Sequence, residues 1–144
     1  MKVLRIAHVA VAVPDLEAAG AAFAALGLPP GAPELIAAQR TRAALIPVGP
    51  GNVELIAPAG NEGLQRFLDR RGAGLHHLCL EVDDLDAALA ELKAKGLRLI
   101  DEAPRPGAHG YRVAFLHPAS CGGVLVELCQ RAPGAPEATR PAGG

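Results

Sequence analysis

The sequence repeats itself. Residues 8–16, HVAVAVPDL, overlay residues 77–85, HLCLEVDDL, at a constant offset of 69 (77 − 8 and 85 − 16). Each copy sets one His at the head of an alternating stretch and an Asp-Leu pair where a helix would begin, so the chain is constrained to build one supersecondary unit twice. Gly96 answers Gly27 at the same offset, each where a glycine stops a helix.

The first copy reads βαβββ. Residues 3–13 alternate as a strand, and Pro14-Asp15 breaks it and offers Asp15 as a helix cap. Leu16, Ala19, Phe23 and Leu26 then recur at helical spacing up to Gly27, with Pro29 and Pro30 behind it. Strands are expected at 34–39, at 41–48 (TRAALIPV) and, after a GPGN turn, at 53–58 (VELIAP). Residues 61–71, NEGLQRFLDRR, predict a linking helix ending at Gly72. The second copy predicts a strand at 75–82, a helix that buries Leu85, Ala88, Leu89 and Leu92, and strands at 97–101, 111–116 and 124–130. Between them lie a loop, APRPGAHG, and a turn, HPASCGG. The expected fold class is α+β: two tandem βαβββ modules, 3–58 and 74–130, in one domain over residues 1–130. The tail, 131–144, is rich in Pro, Gly and Ala with no hydrophobic face and is expected to be disordered.

At 144 residues the chain suffices for one core. No apolar run approaches the roughly 20 residues that span a bilayer, so no membrane role is expected. The start, MKVLRIAHVAVAV, is basic and then apolar, but its alternation and early His argue for a strand over a signal peptide, and a cytoplasmic location follows. Three cysteines, Cys79, Cys121 and Cys129, form no complete disulfide set and read as reduced thiols. A net charge of −1 and an aromatic content of 3% supply neither field nor stacking surface for nucleic acid.

Carried to the last strand of each half, the repeat aligns VELI at 53–56 with VELC at 126–129 and pairs Glu54 with Glu127. That offset, 73 (127 − 54), exceeds 69 by four, which fits a longer loop in the second copy. Val9, Val11 and Val13, like Leu78, Leu80 and Val82, alternate with the His positions, so His8 and His77 should face away from the helices. The neighbours of Glu54 and Glu127 send both carboxylates the same way. A lone His or Glu in a strand is usually structural, but four in register across a repeat point to one site. Two carboxylates crowded together are costly unless a cation balances them, so one divalent metal is expected on His8, Glu54, His77 and Glu127. Nitrogen and oxygen donors of this kind suit Zn, Co, Ni or Mn. His76 has the opposite parity and reads as a helix-side or hydrogen-bonded His, while Cys79 shares the His77 face but has Ala10 as its counterpart and is left out. His109 and His117 lie in loops without a first-half equivalent and, with Ser120, are candidates for substrate contact. Arg40, Arg42, Arg70, Arg71, Arg105 and Arg112 read mostly as solvated surface charges. Strand edges and an Ala-rich helical surface suggest a homodimer.

Two βαβββ modules donating His-Glu-His-Glu resemble the vicinal oxygen chelate superfamily. More specifically, GLHHLCLEVDDLDAALAELKAKGLRLIDEAPRPGAHG and AFLHPASCGGVLVEL are similar to the methylmalonyl-CoA epimerase family, over about Ile6 to Gln130. The resemblance implies a curved mixed sheet around a metal held by His8, Glu54, His77 and Glu127, although the first-half acid is Gln in some members. It also implies a CoA thioester substrate, interconversion of the 2R and 2S forms through a metal-stabilised enolate, Glu127 as base and Glu54 opposite. Some members carry an additional Glu on the strand where this chain reads Thr41-Arg42-Ala43-Ala44. The alternatives are glyoxalase I (lactoylglutathione lyase), which the PRPGAHG and HPASCGG segments disfavour, and a metal-free small-molecule-binding module of the same fold.

Overall fold

In the computed structural model, which describes residues 1–133, both runs of alternation become strands flanked by capped helices. Among the described residues the order is β1 (Val3–Ala12), α1 (Leu16–Ala25), β2 (Glu34–Ile36), β3 (Thr41–Val48), β4 (Gly51–Pro58), α2 (Glu62–Arg71), β5 (Gly74–Val82), α3 (Leu85–Ala94), β6 (Arg105–Pro106), β7 (Tyr111–Leu116) and β8 (Val126–Arg131). The strands hydrogen-bond in the order β2-β3-β4-β1-β5-β8-β7-β6. The sheet is mixed, because β5 and β8 run parallel while β2–β3, β3–β4, β6–β7 and β7–β8 are antiparallel. This is the α+β arrangement of two βαβββ runs that the repeat predicts.

The predicted punctuation is in place. The Asp15 carboxylate accepts from the Glu17 and Ala18 amides and Asp84 from Ala87, satisfying amides that the first helical turn leaves unpaired. Gly27 and Gly96 stop α1 and α3 at φ +83° and +85°, a left-handed conformation costly for other residues. Asn61 caps α2 by accepting from Leu64.

The chain divides into two compact units. One comprises residues 9–76, with a core of Val13 and Leu16 against Ile46, Leu55 and Ala57. The other joins residues 1–8 to the described residues from 77 to 133, with a core where Leu85, Leu89 and Leu92 of α3 meet Val82, Ala114, Leu116, Val126 and Leu128. The units are therefore not the two sequence modules: the first eight residues go with the second half. Backbone and side-chain bonds from Lys2 to Asp83 and from Arg5 to Glu81 tie them there.

Four boundaries differ from the sequence reading. The strand expected at 34–39 ends at Ile36 and turns through a 3-10 turn, Ala37–Gln39. β4 begins at Gly51, two residues early, because β3 and β4 pair up to Val48↔Gly51. Residues 97–101 are not a strand and keep only a bridge, Leu99↔Leu116. The reason is chemical: the Asp101 carboxylate takes the Phe115 amide (2.9 Å), and the Phe115 carbonyl accepts from both Ile100 and Asp101, so the main-chain ladder is pre-empted. The short strand forms instead at Arg105–Pro106, inside the expected loop. Finally, β8 runs on to Arg131, and the expectation of a disordered tail otherwise lies largely outside the described residues.

One irregularity in β1 matters for the site. Arg5 and Ala7 face Glu81 and Cys79 of β5, yet His8, the next residue, meets His77 on that same face. Simple alternation therefore does not hold between Ala7 and His8, and consecutive residues of one strand serve the same side.

Candidate metal centre

Each residue of the centre is aimed by its apolar neighbours. Leu80 and Val82 on β5, and Val126 and Leu128 on β8, pack against α3, so His77 and Glu127 project from the opposite face. That face is not solvent: His77, Cys79, Glu81, Glu127 and Cys129 are all buried on it. In the parallel ladder Cys79 lies directly beside Glu127. With Ala7, Val113 and Cys129 it forms an apolar wall, which fits its exclusion as a ligand.

His8, His77 and Glu127 come together as predicted. His8 Nε2 stands 3.2 Å from His77 Nε2 and 3.1 Å from Glu127 Oε1, and His77 Nε2 lies 3.5 Å from the same oxygen. Three mutual contacts cannot all be good hydrogen bonds. Two ring nitrogens bring at most two hydrogens, and if both point at Oε1 the nitrogen–nitrogen contact is repulsive. A shared cation uses all three lone pairs. For ligand arms of about 2.1 Å, the edges of a coordination polyhedron run from about 2.9 Å (octahedral) to about 3.4 Å (tetrahedral), so the spacing fits a first-row divalent ion.

Burial alone would push the Glu127 carboxyl up, but hydrogen bonds and charge from His77 and His8 outweigh it and hold it far below the usual carboxylate range. The group is an anion at neutral pH. The same Glu127 charge acts on Cys79, whose thiol is raised first by burial, then by Cys129, then by Glu127.

The fourth expected ligand, Glu54, is buried on β4 with its neighbour Leu55 turned into the α1 core, as its parity predicts, and it belongs to the 9–76 unit. Ala43 and Leu45 pair with Ile56 and Glu54, so the β3 positions on the Glu54 face are apolar. His76 stacks edge-on against Phe67 of α2 at 4.8 Å, the helix-side role expected of it. His109 is exposed in a 3-10 turn at φ +56°. His117 and Ser120 bind backbone: His117 Nδ1 accepts from Ala119, and Ser120 Oγ accepts from Arg98, pinning the 97–99 segment to the HPASCGG turn.

Two features escaped the sequence reading. Phe115, directly opposite Glu127 on β7, sets its ring edge-to-face with His77 at 5.2 Å and 85°. Arg105 is not simply a solvated charge, since its guanidinium lies over that ring at 5.4 Å and its Nε is buried. Phe115 had a signal, being Leu45 shifted by 70 (115 − 45), the residue opposite Glu54. Farther along the same face Arg5 bridges Glu81 (3.4 Å) and the Tyr111 hydroxyl (3.3 Å) in a part-buried network.

The geometry agrees with comparisons to known proteins. The family model described as the glyoxalase/bleomycin resistance protein/dioxygenase superfamily matches residues 7–115, and the chain belongs to that superfamily. The mitochondrial methylmalonyl-CoA epimerase of Bos taurus is 43% identical over 129 residues, covering 88% of this chain and 74% of that protein. The ethylmalonyl-CoA/methylmalonyl-CoA epimerase of Cereibacter sphaeroides is 42% identical over 130 residues, covering 88% and 97%. A solved methylmalonyl-CoA epimerase in complex with methylmalonyl-CoA and NH4+ superposes with a TM-score of 0.87 at 30% identity, covering 93% of this chain and 99% of that one. Within the superfamily, the chain is a member of the methylmalonyl-CoA epimerase family.

Proposed function

We propose that this chain interconverts the 2R and 2S forms of methylmalonyl-CoA by moving the proton on the α carbon. The observation that carries the reading is the cluster of His8, His77 and Glu127, three donor atoms 3.1–3.5 Å apart with the carboxylate held ionised. The relatives named above, one of them solved with methylmalonyl-CoA, support a CoA thioester as substrate.

His8, His77 and Glu127 would hold a divalent ion, with Glu54 the fourth ligand that the sequence repeat pairs with Glu127. Such an ion, when bound, supplies positive charge beside the acyl oxygens and lowers the cost of an enolate. The rest falls to the chain's own groups. Glu127 accepts the α proton, and the apolar wall of Ala7, Cys79, Val113 and Cys129 keeps water from competing for it. Glu54, the acid that the repeat pairs with Glu127, is the second base and returns a proton, since Ala43 and Leu45 beside it on β3 supply none. Exposed Leu4, Ile6 and Leu75 support a homodimer. Among the described residues no helix is long and apolar enough to cross a membrane.

The test is solvent exchange. Purified protein in deuterium oxide should place deuterium at the α carbon of methylmalonyl-CoA and contain about one divalent ion per chain. Chelation should stop exchange and lower the thermal midpoint, and either metal or activity should be absent from His77→Ala. Turnover of methylglyoxal with glutathione, without exchange into methylmalonyl-CoA, refutes the reading.

A further inference from the structure

The segment PRPGAHG is built into the wall of the centre. Gly107 passes so close to β7 that a Cβ there would sit 2.6 Å from Val113 Cγ1, and its amide donates to the Tyr111 carbonyl (2.9 Å). This lets Arg105 pair with Val113 and Pro106 with Arg112, so Arg105 is held by a ladder instead of a loose loop. Residues directly opposite in antiparallel strands share a face. Val113 pairs in turn with Cys129, and Phe115 with Glu127, which sets Arg105 on the same face as the Glu127 carboxylate.

Arg105 makes two contacts that orient its guanidinium and keeps part of the side chain at the surface. Its stem is fixed by the guanidinium stack on Phe115. Its Nε is 3.3 Å from Asp101 Oδ2, an ion pair without hydrogen-bond geometry, and that oxygen also accepts the Phe115 amide. The side chain remains about one-third exposed at 36%. Through Phe115, the guanidinium carbon lies within about 11 Å of the His77 ring. An acyl carboxylate one bond from a reacting α carbon, met by a charge-assisted hydrogen bond of about 2.8 Å, fits within that reach. The phosphates of CoA, at the far end of the pantetheine arm, do not.

We infer that Arg105 binds the free carboxylate of a malonyl-type thioester and is the residue by which the site distinguishes such a thioester from a simple acyl thioester. The inference rests on the thioester reading above, but its test does not require turnover. Malonyl-CoA and acetyl-CoA differ by that carboxylate alone, so calorimetric titration of each into wild type, Arg105→Met and Arg105→Lys isolates the contact. Arg105→Met should weaken malonyl-CoA binding on the order of 10- to 100-fold, the loss of a charge-assisted hydrogen bond, and leave acetyl-CoA within about twofold. Arg105→Lys, which keeps the charge without the fork, should fall between. Equal losses for both ligands would assign Arg105 to the CoA portion or to the fold, and no loss for either would leave it no role in binding; each outcome overturns the inference. Wild-type protein that binds both ligands equally overturns it too. The epimerase reading fails separately, on absence of exchange in the wild type.

Discussion

Replacing Phe115 by Leu makes the second half of the site match the first, where Leu45 faces Glu54. Three losses follow. The edge-to-face pair with His77 is worth about 0.5–1.5 kcal/mol beyond area. The stack under Arg105, which is partly exposed, is worth about 0.5–1 kcal/mol. The volume difference, on the order of 20 Å³ at about 24 cal/mol per Å³, adds roughly 0.5 kcal/mol where the site cannot collapse. The expected destabilisation is about 1.5–3 kcal/mol, or roughly 5–10 °C in the thermal midpoint for a chain of this size. Equilibrium urea unfolding of metal-free protein measures it without a contribution from ion binding. A double-mutant cycle with Arg105→Met should return a coupling of about 0.5–1 kcal/mol. A total loss below about 0.5 kcal/mol, or no coupling, would mean that the ring is not a structural link between the imidazole and the guanidinium.

Thiol chemistry should separate the cysteines: Cys79 is buried with its thiol pushed up by burial, Cys129 and the Glu127 charge, and Cys129 is buried too, whereas Cys121 is half-buried with its thiol raised by burial alone. A chromogenic disulfide reagent at mild pH should report at most one thiol per native chain, Cys121, and three after denaturation; fast labelling of Cys79 would refute the dry wall. Hydrogen bonds from the Lys2 amide first, then from Asp84 and Asp83 amides, depress the Asp83 carboxyl below its ordinary 3.8. A depressed acid stabilises above its unfolded value and loses that contribution as pH falls through the folded one. Asp83→Asn should therefore flatten the fall in stability between about pH 5 and pH 3, and an unchanged acid limb would refute the contact.

What the sequence disclosed and withheld follows from the range of each interaction. Asp15, Asp84, Gly27 and Gly96 act on their own turns, so their spacing was enough to locate both helices. Strand parity placed His77 and Glu127 correctly: Glu127 is flanked by Val126 and Leu128, which enter the α3 core, and His77 is out of phase with Leu80 and Val82, which enter it from β5. Parity failed upstream of His8, where Arg5 and Ala7 keep to the inner face, and no local pattern announces that break in alternation. The strand expected at 97–101 failed for a similar reason: Leu97 and Leu99 are apolar and pack on the α3 core, but the carboxylate of Asp101 displaces the ladder that alternation promised. Arg105 was misread as a surface charge because its burial depends on the glycine two residues later and on a ring ten residues later.

The exchange of the first eight residues into the later half also sets an order of assembly. His8 is made well before its partner Glu127, which follows 119 residues afterwards (127 − 8). The 9–76 unit can gather its core during synthesis from what has already emerged. The cluster cannot: it closes a contact spanning nearly the whole chain and waits on the last strand to be made. A protein whose translation stalls before β8 would keep its first core and have no site at all.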